Sequence, residues 1–200
     1  MTDLQHLTLY VVRHGQTEDN VARRWTGRND SHLTDLGRAK ARASGALLAR
    51  IANPSALDFI ASPLHRACVT MELLQEGAGV PPCRYRTDRR LMENDCGDFH
   101  GLLEDDIRNH HGEHHARLLE DEWNWRAPGG QSQAQQHDDI GRFLSTLTRD
   151  SVIVCHGLTI RLMRAPLLGL SPRETLAHSF LEDGVLRFAG GKETYFPVNL

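Results

Sequence analysis

The chain has little of what would staple, anchor or charge it. Its 200 residues include only four cysteines, Cys68, Cys83, Cys96 and Cys155, with no CxxC and no framework spacing. That argues against a disulfide scaffold, and reduced thiols in a cytoplasmic protein are the expectation. No apolar run approaches the length of a membrane span. Met1-Thr2-Asp3-Leu4-Gln5-His6 lacks a basic n-region, so neither membrane insertion nor a visible secretion signal is expected. Positive charge is not in excess: 23 Lys and Arg against 26 Asp and Glu leave a net charge of −3. This removes the case for a general nucleic-acid or anionic-membrane binder, and any basic site must be local. The length suits one well-buried domain over residues 1–200 that needs no staple.

What the chain does have is one short pattern written twice. Leu9-Tyr10-Val11-Val12-Arg13-His14-Gly15 and Val152-Ile153-Val154-Cys155-His156-Gly157 are both β-branched apolar runs stopped by His-Gly and followed by helix-compatible sequence. In a parallel α/β sheet the carboxyl ends of strands line the ligand crevice, so two such ends aim two imidazoles at one site.

The rest of the chain alternates. A strand at about 7–13 is followed by a helix capped at Thr34-Asp35, with Leu36, Ala39, Ala43, Leu47 and Ile51 at helical spacing. Leu57–Ala61 reads as a strand, Ser62-Pro63 as the start of a helix running to about Glu76, and a strand falls near 83–87. Residues 94–130, rich in His, Asp and Glu and ending at Pro128-Gly129-Gly130, read as a partly helical insertion covering the site. A helix over 132–148 carries Ile140, Phe143, Leu144 and Leu147 on one face. The 152–155 strand, a helix over 158–168, a capping box at Ser171–Glu174 and strands near 178–188 and 193–196 complete the chain. Such alternation points to an α/β sandwich with a mostly parallel central sheet.

Three strand ends then contribute chemistry: Arg13, His14 and Gly15; Arg66 on the first turn after Ser62-Pro63; and His156 with Gly157. Guanidinium forks match phosphate oxygens bidentately, and helix N-termini offer free N–H groups to the same anion. The glycines let backbone approach closely. One imidazole can attack phosphorus and become a covalent phosphohistidine. The leaving oxygen then needs a proton donor, for which Glu93 is the first candidate, with Asp95 and Asp98 in the same loop as alternatives. Four cationic groups around one phosphate could achieve transfer without a metal.

These residues carry a family resemblance. Arg13-His14-Gly15-Gln16-Thr17-x-x-Asn20 resembles the signature of the histidine phosphatase superfamily, the phosphoglycerate mutase-like proteins. Five further blocks follow in that family's order: Thr26–Asp30 with Leu33-Thr34-x-x-Gly37; Ser62-x-Leu64-x-Arg66-Ala67-x-x-Thr70; Leu91-x-Glu93-x-x-x-Gly97-x-x-x-Gly101; Pro128-Gly129-Gly130; and Val154-Cys155-His156-Gly157. The resemblance implies a three-layer α/β/α sandwich, His14 as phosphoryl acceptor, and Arg13, Arg66 and His156 as the phosphate pocket. It also implies Glu93 as general acid then base, Asn20 on a phosphate oxygen, the Thr26-Gly27 backbone at the mouth with Gly157 beside it, and no cofactor. Cofactor-dependent mutases of the family usually follow the acid with Arg-x-Tyr-Gly on a longer chain. Here Asn94-Asp95-Cys96-Gly97 follows, which favours a hydrolase. Gln16, Gln131 and His100 also depart from commoner glutamates.

The expected activity is therefore metal-independent hydrolysis of a small phosphate ester. Its rivals are a phosphomutase, a metal-dependent hydrolase and a non-catalytic phospho-ligand binder. His110-His111 and His114-His115 are spaced to chelate zinc, but no third ligand is evident and a solvated helix face is the simpler expectation. Trp123 and Trp125 read as packing for the insertion, since no basic stripe accompanies them. A homodimer is the assembly left to test.

Overall fold

The computed structural model describes residues 4–82, 84–181 and 183–200. Its strands are β1 (Leu9–Arg13), β2 (Asp58–Ala61), β3 (Arg86–Thr87), β4 (Ser151–Cys155), β5 (Val185–Ala189) and β6 (Lys192–Phe196). Its helices are α1 (Glu18–Val21), α2 (Asp35–Ile51), α3 (His65–Gly77), α4 (Glu104–His110), α5 (Gly112–Glu120), α6 (Gln133–Leu144), α7 (Gly157–Leu168) and α8 (Pro172–Ala177).

The strands form one sheet in the order β3-β2-β4-β1-β5-β6. β1, β2, β3 and β4 run parallel, while β5 and β6 are antiparallel additions at the β1 edge. The central strands are buried on both faces, and their alternation sorts side chains between two helix layers. Leu9, Val11, Ile153 and Cys155 pack with Ile140 and Phe143 of α6 and Ile160 and Met163 of α7. Tyr10, Val12, Val152 and Val154 pack with Leu47 and Leu48 of α2 and Ala67, Met71 and Leu74 of α3. The three-layer sandwich follows directly from that division.

The topology makes the site. β1 leads through α2 to β2, leaving a gap that β4 fills, and β4 leads through α7 across β1 to β5. The connections diverge between β1 and β4, the switch point at which open α/β sheets bind ligands. Arg13 and Cys155 are register partners there, so the residues that follow them, His14 and His156, emerge side by side.

Several boundaries differ from expectation. α3 starts at His65 rather than Ser62-Pro63; its N-cap, Leu64, has no side-chain hydrogen bond, and the Ser62 hydroxyl is engaged with His156 instead. The buried stripe of α2 is Gly37, Ala41, Ser44, Gly45, Leu47 and Leu48, whereas Leu36 is exposed. Small residues set that rotation: a Cβ on Gly45 would lie 2.0 Å from the Leu74 carbonyl oxygen of α3. β3 is only two residues long, with residue 83 of the expected strand outside the described residues. α6 stops at Leu144, although Leu147 beyond it is buried as expected. The strand expected from 178 begins at Val185. Thr34, Ser132 and Ser171 cap their helices, each accepting a backbone N–H, and Ser132 with Gln135 and Ser171 with Glu174 close capping boxes.

Candidate active site

A cavity of about 500 Å³ opens at the carboxyl ends of β1 and β4 and is lined by Arg13, His14, Asn20, Thr26, Gly27, Arg66, Glu93 and Gly157. His156 lies directly behind it, fully buried, with its ring centroid 5.1 Å from that of His14. All nine residues singled out from the sequence are thus in one place, eight on the wall and one beneath it.

The tautomer of His14 follows from its partners. Nδ1 lies 2.9 Å from the Gly15 carbonyl oxygen, an acceptor, so Nδ1 carries the proton. Arg66 Nε–H donates to Nε2 at 3.3 Å, which requires a lone pair there. Burial, then the charges of Arg66 and Arg13, hold the ring well below the ordinary imidazole range. His14 is therefore a neutral imidazole with its Nε2 lone pair in a cationic setting. The turn carrying it is fixed by backbone: Gly15 N–H donates to Thr70 Oγ1 at 3.0 Å, and a Cβ on Gly15 would lie 2.5 Å from the Gly37 carbonyl oxygen at the start of α2. Gly157 makes no comparable approach to backbone; the nearest atoms to a Cβ there are side-chain atoms of Phe180 and Arg13 at 3.4–3.5 Å.

Arg66 is buried and almost fully engaged. Its two Nη groups donate to the Gly27 and Asn29 carbonyls, each at 2.6 Å, while Asp30 lies 3.8 Å away. It thereby holds the loop after α1 against the end of β1. Arg13 donates through Nη1 to the Leu181 carbonyl at 3.1 Å. His156 Nε2 pairs with Ser62 Oγ at 2.7 Å, and its Nδ1 has no hydrogen-bond partner among the described residues. Burial, then Arg66, His14 and Arg13, keep that ring too well below the imidazole range. The Asn20 amide oxygen accepts from Thr17 N–H at 3.1 Å as part of the α1 capping box.

Glu93 follows a short 3-10 turn over Arg89–Leu91 and reaches the N-terminus of α7. Oε2 accepts from Leu158 N–H at 3.3 Å, and Oε1 accepts from Asn94 N–H at 3.0 Å and Thr159 Oγ1–H at 3.3 Å. Asp95 is instead tied to Arg28 at 2.9 Å, and Asp98 is exposed; neither lines the cavity. Buried Gln136 braces the acid loop, donating to the Met92 carbonyl and Thr159 Oγ1 and accepting from Asn94 Nδ2.

Arg28 carried no assigned role in the sequence, yet it ties both sides of the mouth together. It donates to the Glu93 carbonyl at 3.3 Å, Asp95 Oδ2 at 2.9 Å and Gln131 Oε1 at 2.9 Å. No local pattern could have shown this, because those partners lie 65 to 103 residues away. His100 Nε2 accepts from the Arg28 and Cys96 backbone N–H groups, so this departure from glutamate serves the loop geometry. Gln16 accepts from Thr34 at the α2 cap, and Gln131 is held by Arg28 and Asp139.

The 94–130 segment contributes Cys96, Glu104, Leu118, Glu122 and Trp125 to the cavity. Trp125 packs with Trp25, Phe99, Ile107 and Ala127, as expected for the segment, whereas Trp123 packs on the main core. His111 and His114 lie against the Phe99 ring, at 4.9 and 5.6 Å between centroids. Among the described residues no three His, Cys, Asp or Glu side chains converge to hold a metal, and no helix is long and apolar enough to cross a membrane.

Comparison with known proteins agrees with this geometry. The chain is 34% identical over 175 residues to a 2,3-bisphosphoglycerate-dependent phosphoglycerate mutase of Azorhizobium caulinodans, covering 82% of each. It superposes on the mycobacterial glucosyl-3-phosphoglycerate phosphatase with a TM-score of 0.77 at 29% identity, covering 90% of this chain and 89% of that one. The alpha-ribazole phosphatase of Shigella flexneri shares the fold, with a TM-score of 0.81 at 21% identity over 97% and 96% of the two chains. Residues 9–194 match the profile of the histidine phosphatase superfamily (branch 1), and it is to this family of phosphatases and mutases that the chain belongs.

Proposed function

We propose that this enzyme is a phosphomonoester hydrolase acting on a small phosphorylated metabolite through a phosphohistidine on His14. One observation carries the proposal: a neutral imidazole whose Nε2 lone pair meets Arg66 in a cavity also lined by Arg13 and Glu93. Nε2 attacks phosphorus as the bond from phosphorus to the ester oxygen breaks. The protonated Glu93 carboxyl gives its proton to the leaving alkoxide. Water then attacks phosphorus and loses a proton to Glu93, the bond between Nε2 and phosphorus breaks, and inorganic phosphate leaves.

The Leu158 N–H at the start of α7 holds Glu93 facing the cavity. Arg13, Arg66, the Asn20 amide N–H groups and the neutral His156 behind them supply the phosphate pocket, with the Thr26-Gly27 backbone and Gly157 at its mouth. In this reading residues 1–200 work as one domain, with the 94–130 segment as its cover.

A phosphomutase, the activity named for the Azorhizobium relative, would use the same covalent step. The Asn94-Asp95-Cys96-Gly97 run after the acid favours water as the acceptor. The deciding experiment incubates the enzyme with phosphate esters and measures free phosphate against isomerised product. Phosphate release that disappears in His14→Ala is expected; isomerised product without free phosphate would overturn the proposal. Activity that survives exhaustive chelation is expected, and loss restored by zinc would favour a metal-dependent hydrolase.

A further inference from the structure

We infer that the half of the cavity beyond the phosphate end selects esters whose leaving alcohol is uncharged and carries an aromatic or other apolar ring. The inference rests on the hydrolase proposal above and specifies its substrate class.

The charges in this outer half cancel. Arg161 of α7 is a buried cation on the wall, and both its Nη groups are used within the protein: Nη1 pairs with Glu122 at 2.8 Å and Nη2 donates to the Leu176 carbonyl, while its buried Nε has no hydrogen-bond partner among the described residues. Gln133 donates to the same Glu122 oxygen at 3.1 Å, which fixes the carboxylate in place. At the rim Arg24 is exposed, donating to the Gly101 carbonyl at 2.8 Å, and Glu104 supplies the opposite sign. A substrate carboxylate or second phosphoryl group would meet the Glu122 carboxylate, and the two exposed rim charges, Arg24 and Glu104, are opposite in sign. Solvent-exposed charges of that kind contribute little.

Four large apolar side chains share the remaining wall with the uncharged Asn94, Gln131 and Gln133. Trp25 and Trp125 meet edge to face at 6.3 Å between centroids, Leu118 lies on α5, and Phe180 is 50% exposed with the Arg161 guanidinium over its ring at 5.2 Å. An exposed phenyl ring backed by a cation, in the same cavity as two indoles, is a surface that a planar apolar group can cover.

The test compares kcat/KM for phosphate release from four primary alkyl esters with similar leaving groups: ethyl phosphate, 2-phenylethyl phosphate, glycerol 3-phosphate and 3-phosphoglycerate. Phenylethyl phosphate is expected to exceed ethyl phosphate by about 10–200-fold, the range that apolar pocket contacts supply. Glycerol 3-phosphate should exceed 3-phosphoglycerate, which differs by one carboxylate, by about tenfold or more. Glu122→Gln releases Arg161 and should narrow the second ratio; Trp125→Ala should narrow the first. Should Glu122→Gln fail to fold, the order of esters in the unaltered enzyme and the Trp125→Ala ratio still decide. Turnover of 3-phosphoglycerate equal to or above that of glycerol 3-phosphate would overturn the inference while leaving the hydrolase proposal intact. No phosphate release from any ester, p-nitrophenyl phosphate included, would remove both.

Discussion

Arg66 donates through Nε to the bare Nε2 of His14, while its two Nη groups hold the Gly27 and Asn29 carbonyls. One guanidinium thus sets the tautomer of the candidate nucleophile and closes the loop that walls the cavity. A lysine has no fork with which to do both. Arg66→Lys is expected to lower kcat/KM by about 10²–10³, comparable to losing one preorganised donor at a transition state. It should also lower the unfolding midpoint, because two backbone carbonyls lose charged donors. Steady-state kinetics and urea denaturation check the two effects separately, and full activity in Arg66→Lys would count against the placement.

Glu93→Gln keeps the size of the side chain and one accepting oxygen, loses acceptance at the other, and removes the proton that the leaving oxygen needs. A fall in turnover of about 10²–10⁴ is expected with alkyl phosphates. The loss should shrink with p-nitrophenyl phosphate, whose leaving group needs little protonation. An equal loss with both classes of ester would point to a positioning role instead.

Arg28 acts on that acid at one remove. Arg28→Ala releases the Glu93 carbonyl, Asp95 and Gln131 together, leaving the acid loop held mainly by Gln136 and Thr159. A misplacement of the acid by roughly 1 Å can cost up to about 10²-fold, and the loss should fall on kcat more than on KM. The pH profile of the variant separates positioning from simple destabilisation. A shift in the limb of the profile that Glu93 governs is expected, and unfolding alone would leave that limb in place.

His14 and His156 make stability depend on acidity in a definite direction. Folded, both rings titrate below the ordinary value, through burial first and Arg66 next. Unfolded, both titrate near about pH 6.5. Below that pH the unfolded chain binds more protons, so stability falls as pH drops and is flat above it. Urea midpoints should hold steady from about pH 7 to 8 and decline between about pH 6.5 and 5. Asp88, whose carboxyl Arg90 pulls down, contributes only at lower pH, outside this window. Ser62→Ala removes the hydroxyl that pairs with His156 Nε2 and should cost about 1–3 kcal/mol at neutral pH. An unaltered midpoint would mean that another group takes over that nitrogen.

The sequence made strand ends readable because β-branched runs stopped by His-Gly are a local signal. β1 and β4 fall within two residues of where they were expected, and with them His14 and His156. The sandwich was legible for the same reason, since period-2 burial on both faces is written into residues 9–13 and 151–155. What stayed hidden depends on distant partners. Ser62 looks like a helix cap until His156, 94 residues away, engages its hydroxyl. The apolar stripe of α2 looked like leucine and alanine at helical spacing, but close packing on α3 turns Gly45 and Ala41 inward instead. Arg28 and the pairing of Arg161 with Glu122 belong to the same category: long side chains whose roles appear only once their acceptors are in place.

The insertion of β4 between β1 and β2 also bears on how the molecule comes into being. A nascent chain that has not yet emerged past residue 150 carries His14 beside an empty slot in the sheet, without His156 or the α7 N–H that Glu93 accepts from. The candidate site is therefore assembled only after β4 and the start of α7 have been made.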